Sequence, residues 1–178
     1  MLRSYLQLRE RTDRFFESVA ARYNDQVLCT AGCSACCESG ISIVIIEAVA
    51  MGKELGISED RIQLQAGQAS IIGEGSKCSF LDEKGYCKVY VARPLICRTH
   101  GMPLLNIEDE TVNVCELNFK DIEPHRSTIL NTENLNAALF AVNLEYCTKN
   151  GLNPRARVSI DRVAQLSGIS VEFSNQNP

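Results

Sequence analysis

The sequence predicts a mainly α-helical fold with one small β-hairpin and an irregular, cysteine-rich centre. Three observations lead there. Segments with helical spacing of apolar residues lie near both ends, a hairpin pattern lies in the middle, and eight of the nine cysteines fall between the terminal helices. At 178 residues the chain has the length of one ordinary domain, residues 1–178, with a cysteine-cluster core at 29–118 and flanking helices at 2–23 and 132–168.

Leu2, Tyr5, Leu6, Phe15, Phe16, Val19, Ala20 and Tyr23 recur near the helical interval, with arginines and acids between them, and this predicts an amphipathic helix of about six turns. Its aromatic stripe is assigned to core packing. Cys29–Gly40 is too rich in Gly, Ser and Cys for regular structure throughout. The β-branched run Ile41–Ile46 leads into a helix over Glu47–Leu55 that stops at Gly56. Ser58, followed by Glu59 and Asp60, is an N-cap signal for a helix ending near Gly73.

Lys77–Tyr90 reads as a hairpin, with arms Cys78–Leu81 and Tyr86–Tyr90 around the turn Asp82–Gly85. Ala92–Asn118 has little periodicity and is expected to be irregular. Thr132–Lys149 places Leu135, Ala138, Leu139, Val142 and Tyr146 on one helical face and stops at Asn150-Gly151. Ser159–Gly168 carries its own N-cap and C-terminal glycine, and residues beyond Val171 are expected to fray. No internal repeat is evident.

Apolar residues at 45% and charged residues at 22% match a folded globular chain. With 18 Lys and Arg against 22 Asp and Glu, the net charge is -4, so no overall positive field is available for nucleic acid or an anionic bilayer. The longest uncharged stretches, Gln26–Cys37 and Ile62–Gly73, fall well short of the roughly 20 apolar residues of a membrane span. Met1–Glu17 is interrupted by Arg3, Arg9, Glu10, Arg11, Asp13 and Arg14, with no apolar signal core. A cytoplasmic location follows as an expectation. In a reducing compartment, clustered cysteines point to metal or redox chemistry rather than to disulfides.

Four cysteines fall within nine residues as Cys29-x3-Cys33-x2-Cys36-Cys37. Thiolates so close repel one another unless a cation or a covalent bond holds them. Cys33 and Cys36 have the spacing of a zinc knuckle, which offers two sulfurs from one turn. Adjacent Cys36 and Cys37 point apart and suit either two metals or one ligand and one free thiol. Cys78, Cys87, Cys97 and Cys115 form a second group of four. A four-residue loop at Asp82–Gly85 places Cys78 and Cys87 on one face, whereas a three-residue loop turns Cys87 away unless a bulge intervenes. Cys147, late in a helix with no ligand-type neighbour, is assigned to the core.

Taken together, the first cluster, Cys78-Ser79-Phe80-Leu81-Asp82, Gly85-Tyr86-Cys87-Lys88-Val89-Tyr90, Arg93-Pro94-Leu95-Ile96-Cys97-Arg98 and Cys115-Glu116-Leu117-Asn118 resemble the YkgJ-type cysteine-cluster family, the zinc- or iron-chelating CxxCxxCC domain. The resemblance covers Cys29 to Asn118, about half the chain. It implies metal binding by Cys29, Cys33, Cys36, Cys37, Cys78, Cys87, Cys97 and Cys115. Two departures stand out: the first interval holds three residues rather than two, and Ser79 stands where the family usually has proline.

Arg98, beside Cys97, and nearby Arg93 can offset the surplus negative charge of a tetrathiolate site, or Arg98 can pair with an acid at the surface. His100, in Cys97-x2-His100, has ligand spacing but is not needed beside eight cysteines. His125 is read as structural. Glu108, Asp109, Glu110, Glu116, Asp121 and Glu123 are read as a solvated acidic region. No phosphate loop, dinucleotide fingerprint, nucleophile elbow or HExxH helix is present, so a reaction is left open. The leading expectation is a zinc- or iron-binding protein whose partner is the metal ion and whose metal is structural or cargo. The alternatives are an iron-sulfur protein that transfers electrons or supports an enzyme reaction and, last, a thiol-disulfide enzyme using Cys33 and Cys36.

Overall fold

The helical spacing near the N-terminus produces α1 (Leu2–Arg22) in the computed structural model, which describes residues 1–71 and 76–169. Tyr5, Thr12 and Val19, seven residues apart, are its buried positions and define the face turned inward. The strand β1 (Ser42–Val44) then passes without a loop into α2 (Ile45–Glu54), where every residue from Ile45 to Gly52 is buried. This explains the continuous apolar run: α2 is the central helix, surrounded on all sides. Gly52 is required there, since a Cβ would sit 2.7 Å from Ile62 of α3 (Glu59–Gln63).

Downstream lie α4 (Leu95–Thr99), β2 (Leu104–Asn106), β3 (Thr111–Asn113), β4 (Leu130–Asn131), α5 (Thr132–Asn150), β5 (Arg157–Ser159) and α6 (Ile160–Leu166). Strands β1 and β5 pair antiparallel with Ile43 opposite Val158, and β5, like β1, runs directly into its helix. Two strand-helix units therefore share one ladder. A second sheet has the order β3-β2-β4, with β2 antiparallel to β3 and parallel to β4. Helix α5 is capped by Asn131, whose side chain accepts the Asn134 amide, and ends at Gly151 in the left-handed conformation. The Ser159 side chain caps α6 in the same way through the Asp161 amide.

The fold is mainly helical with small sheets, but three local expectations need correction. Helix α3 is only five residues long and continues as turns, while its expected stop at Gly73 lies outside the described residues, as does the segment beyond Val171. The arms at Cys78–Leu81 and Tyr86–Tyr90 do not form ladder strands; a single bridge joins Leu81 to Cys87, and Tyr90 starts a 3-10 turn through Ala92. The reason is local: the Leu81 amide donates to the Cys78 carbonyl at 3.0 Å, so the first arm is itself a β-turn. The antiparallel hairpin is instead β2–β3, inside the stretch expected to be irregular. Among the described residues, no helix is long and apolar enough to cross a membrane.

Candidate metal centre

The loop from Cys29 to Glu38 is folded by two turns, in which the Cys33 amide donates to Thr30 and the Cys37 amide to Ser34, each at 3.0 Å. Gly32, at φ +98°, lies under the Tyr86 ring, and a Cβ would approach Tyr86 Cε1 to 2.9 Å. Close approach at this glycine docks the first cysteine cluster on the segment that carries Cys87. The chain then forms a bridge between Glu38 and Lys77, and the Cys78 amide donates to the Cys37 carbonyl at 3.0 Å.

Around Cys87, the Asp82 amide donates to the Tyr86 carbonyl and the Lys88 amide to the Phe80 carbonyl, flanking the Leu81–Cys87 bridge. Asp82 Oδ1 accepts the amides of Lys84 and Tyr86 at 2.9 and 2.8 Å. The loop between paired Asp82 and Tyr86 thus holds three residues, not four. Parity alone turns Cys87 from the face of Cys78. The β-turn Cys78–Leu81 supplies the correction, because it removes Cys78 from the alternating register.

Cys97 lies in α4, which is anchored from two sides. The buried Glu47 carboxylate accepts the Leu95 amide at 2.8 Å, at the open N-terminus of the helix. Arg98 Nη1 reaches both Asp13 oxygens at 2.7 and 2.6 Å, its Nε donates to Arg93 O at 2.7 Å, and its Nη2 donates to Val91 O. Arg98 is therefore committed to an acid and to the preceding loop. Arg93 is the cation whose charge acts on the thiols of Cys36, Cys87 and Cys97, and its guanidinium stacks 3.5 Å over the Tyr90 ring.

Cys29 and Cys115 meet through Asn118, which is 2% exposed. Asn118 Nδ2 donates to Cys29 Sγ at 3.2 Å and to Gly101 O at 2.8 Å, its Oδ1 accepts the Leu28 amide, and its own amide donates to Cys115 O. Gly101 has φ +92°, and a Cβ there would lie 2.2 Å from Cys29 Sγ. Neither residue is singled out by the sequence pattern, although Asn118 closes the Cys115-Glu116-Leu117-Asn118 motif.

Cys29, Cys33, Cys36, Cys37, Cys78, Cys87 and Cys97 line one partly open cavity of about 70 Å³, together with Arg93, Arg98, His100 and the apolar side chains of Phe16, Met51 and Phe80. Cys115 is not on its wall. The nine cysteines are free thiols, and among the described residues no three potential ligands converge closely enough to enclose a metal ion. Burial raises the thiols of Cys29, Cys78 and Cys87, and pushes Cys97 up to about 12. A hydrogen bond to Cys37, followed by burial, holds the Cys36 proton far more firmly than usual, while the same bond lowers Cys37. Burial also lowers His100, favouring neutral imidazole.

Other residues fall outside this arrangement. Cys147 is fully buried beside Asn143, His125 Nδ1 accepts the Ser127 amide at a 3-10 turn, and Glu108, Asp109, Glu110, Glu116, Asp121 and Glu123 face solvent.

Soft thiol donors lining a small cavity, with a guanidinium close by, form a donor set suited to zinc or iron. A family profile described as "Putative zinc- or iron-chelating domain" matches residues 28–148, more than half the chain. The chain belongs to the CxxCxxCC family. The match runs beyond the last clustered cysteine into α5, so it includes the scaffold as well as the thiols. No curated protein and no solved structure gives a significant match to the chain.

Proposed function

We propose that this protein chelates zinc or iron through the thiolates of Cys29, Cys33, Cys36, Cys37, Cys78, Cys87, Cys97 and Cys115, in a reducing compartment such as the cytoplasm. The observation that carries the reading is the shared cavity, to which three sequence-distant segments bring seven of these sulfurs. The chain positions them by backbone pairing at Cys37 and Cys78, by the Glu47 bond to α4, and by Asn118 at Cys29. Arg93 offsets part of the negative charge that thiolates accumulate around a divalent ion.

A bound metal would supply crosslinks between loops that carry little regular structure. Structural zinc contributes about 10 to 16 kcal/mol in isolated peptides at neutral pH, comparable to the stability of a whole domain. Since burial keeps several of these thiols protonated in the free protein, loading releases protons and strengthens as pH rises.

Titration of the reduced, metal-free protein with cobalt(II), a spectroscopic substitute for zinc, tests this reading. Thiolate-to-cobalt charge-transfer absorption with a tetrahedral visible spectrum is expected, displaced by zinc. A spectrum lacking thiolate character would contradict it.

A further inference from the structure

We infer that the protein has a second site, for an organic ligand: the groove between α4 and α5 binds an amphiphilic carboxylate, its head on Arg157 and its hydrocarbon tail against α5. The site is separate from the thiols and does not depend on chelation.

The groove encloses about 510 Å³, within the roughly 300 to 1,000 Å³ usual for small-molecule sites. The thiol cavity, at about 70 Å³, is too small for such a ligand. Helix α4 divides the two: Leu95, Ile96 and Thr99 line the groove, whereas Cys97 and Arg98 line the thiol cavity. The opposite wall is Thr132, Leu135, Asn136, Leu139 and Phe140, at helical positions i, i+3, i+4, i+7 and i+8. They form one face of α5, about 12 Å long at 1.5 Å per residue. Ile96 and Phe140, on facing walls, remain 41% and 45% exposed, so apolar surface is left open on both sides.

Polar groups on these walls are bonded within the protein, with one exception. Thr99 Oγ1 donates to Ile96 O and Thr132 Oγ1 to Leu105 O, each at 3.0 Å. Glu47 is 3% exposed, and its Oε1 accepts the Leu95 amide at 2.8 Å. The exception is Arg157, exposed and opposite Val44 in the β1–β5 ladder. Its Nε donates to Ser42 Oγ at 3.0 Å and its Nη2 to Ser42 O at 2.5 Å, which fixes the guanidinium. Among the described residues no carboxylate pairs with it and Nη1 has no acceptor. One held cation beside an apolar wall complements one negative charge on an apolar tail. A fatty carboxylate carries that single charge at neutral pH, and the wall has the length of a medium-chain tail.

Calorimetric titration of the full chain with decanoate and with decyltrimethylammonium, which share a tail and differ in the charge of the head, tests this. Decanoate should bind at least about tenfold more tightly, the fold-change of one hydrogen bond to a charged group. Arg157→Gln should abolish that preference and Arg157→Lys should retain it, while Phe140→Glu should weaken decanoate binding at least about tenfold. If Arg157→Gln fails to fold, the wild-type comparison and Phe140→Glu still decide. Equal affinity for the two probes, no saturable binding of decanoate, or decanoate affinity unchanged in Arg157→Gln would overturn the assignment. A dimer that Phe140→Glu disperses and decanoate does not would assign the groove to a second copy of the chain, and would overturn it as well.

Discussion

Ser79 Oγ lies 2.8 Å from Asp161 Oδ1, a carboxylate that is 1% exposed and is also bonded to Ser70 and Ser159. Asp161 stands in the first turn of α6, as Glu47 stands in the first turn of α2, and both helices spring from the β1–β5 ladder. Each buried acid reaches one cysteine segment: Asp161 holds the turn after Cys78, and Glu47 holds α4 ahead of Cys97.

Ser79→Ala should therefore lower stability by about 1 to 3 kcal/mol, the range for losing a hydrogen bond to a buried charged group. Ser79→Pro should be milder, because position 79 is the second residue of the Cys78–Leu81 turn, where proline is favoured. Thermal melts of the zinc-loaded variants check this order. An alanine variant as stable as wild type would show that the hydroxyl is not what position 79 contributes, and a proline variant less stable than the alanine variant would show that the turn backbone does not favour proline there.

Glu47 gives a pH signature. Burial raises its pKa above the ordinary 4.5, so the folded chain holds that proton more tightly than the unfolded chain does. Its contribution to stability is greatest at low pH and declines as pH rises from about 4.5 through the raised folded value. Glu47→Gln retains an acceptor for the Leu95 amide and removes the titration. The stability of wild type relative to Glu47→Gln should fall with rising pH across that window in paired denaturant titrations; a constant difference would contradict the assignment.

The sequence made the long elements legible and left the close geometry hidden. Helices α1 and α5 follow from apolar spacing, and the ends of α5 and α6 from Asn-Gly and the Ser159 cap. The hairpin failed because its parity rule assumes two extended arms, and the Cys78–Leu81 turn depends on Ser79 reaching a helix 82 residues away. Strands β2 and β3 escaped notice because they are three residues long and β3 is wholly exposed, leaving no alternation to detect. Asn118 acts on Cys29 across 89 positions, a relation no local pattern encodes. The two arginines beside the cysteines were chemically equivalent in sequence; only Asp13, on α1, distinguishes Arg98 as an anchor.

Gly101→Ala should disturb the Cys29 corner, since its Cβ would overlap Sγ and lie 3.1 Å from Asn118 Nδ2. Gly40, at φ +81°, has open space around it, so Gly40→Ala carries only backbone strain of about 1 to 2 kcal/mol. Metal content should drop in the first variant and hold in the second. Equal metal content in both would show that Cys29 placement does not govern binding.

Cys147→Ala should leave metal content unchanged and reduce stability by about 1 kcal/mol, as expected for removing a buried sulfur from a packed site. Elemental analysis beside a denaturant curve checks both parts, and loss of metal would place Cys147 among the ligands.

Chelation of metal by the clustered thiols is open to direct measurement. Native mass spectrometry of protein purified without oxygen from its own host tests it most directly. Zinc or iron is expected on every folded chain, bound with loss of thiol protons. A folded, metal-free chain with all nine thiols intact would contradict it.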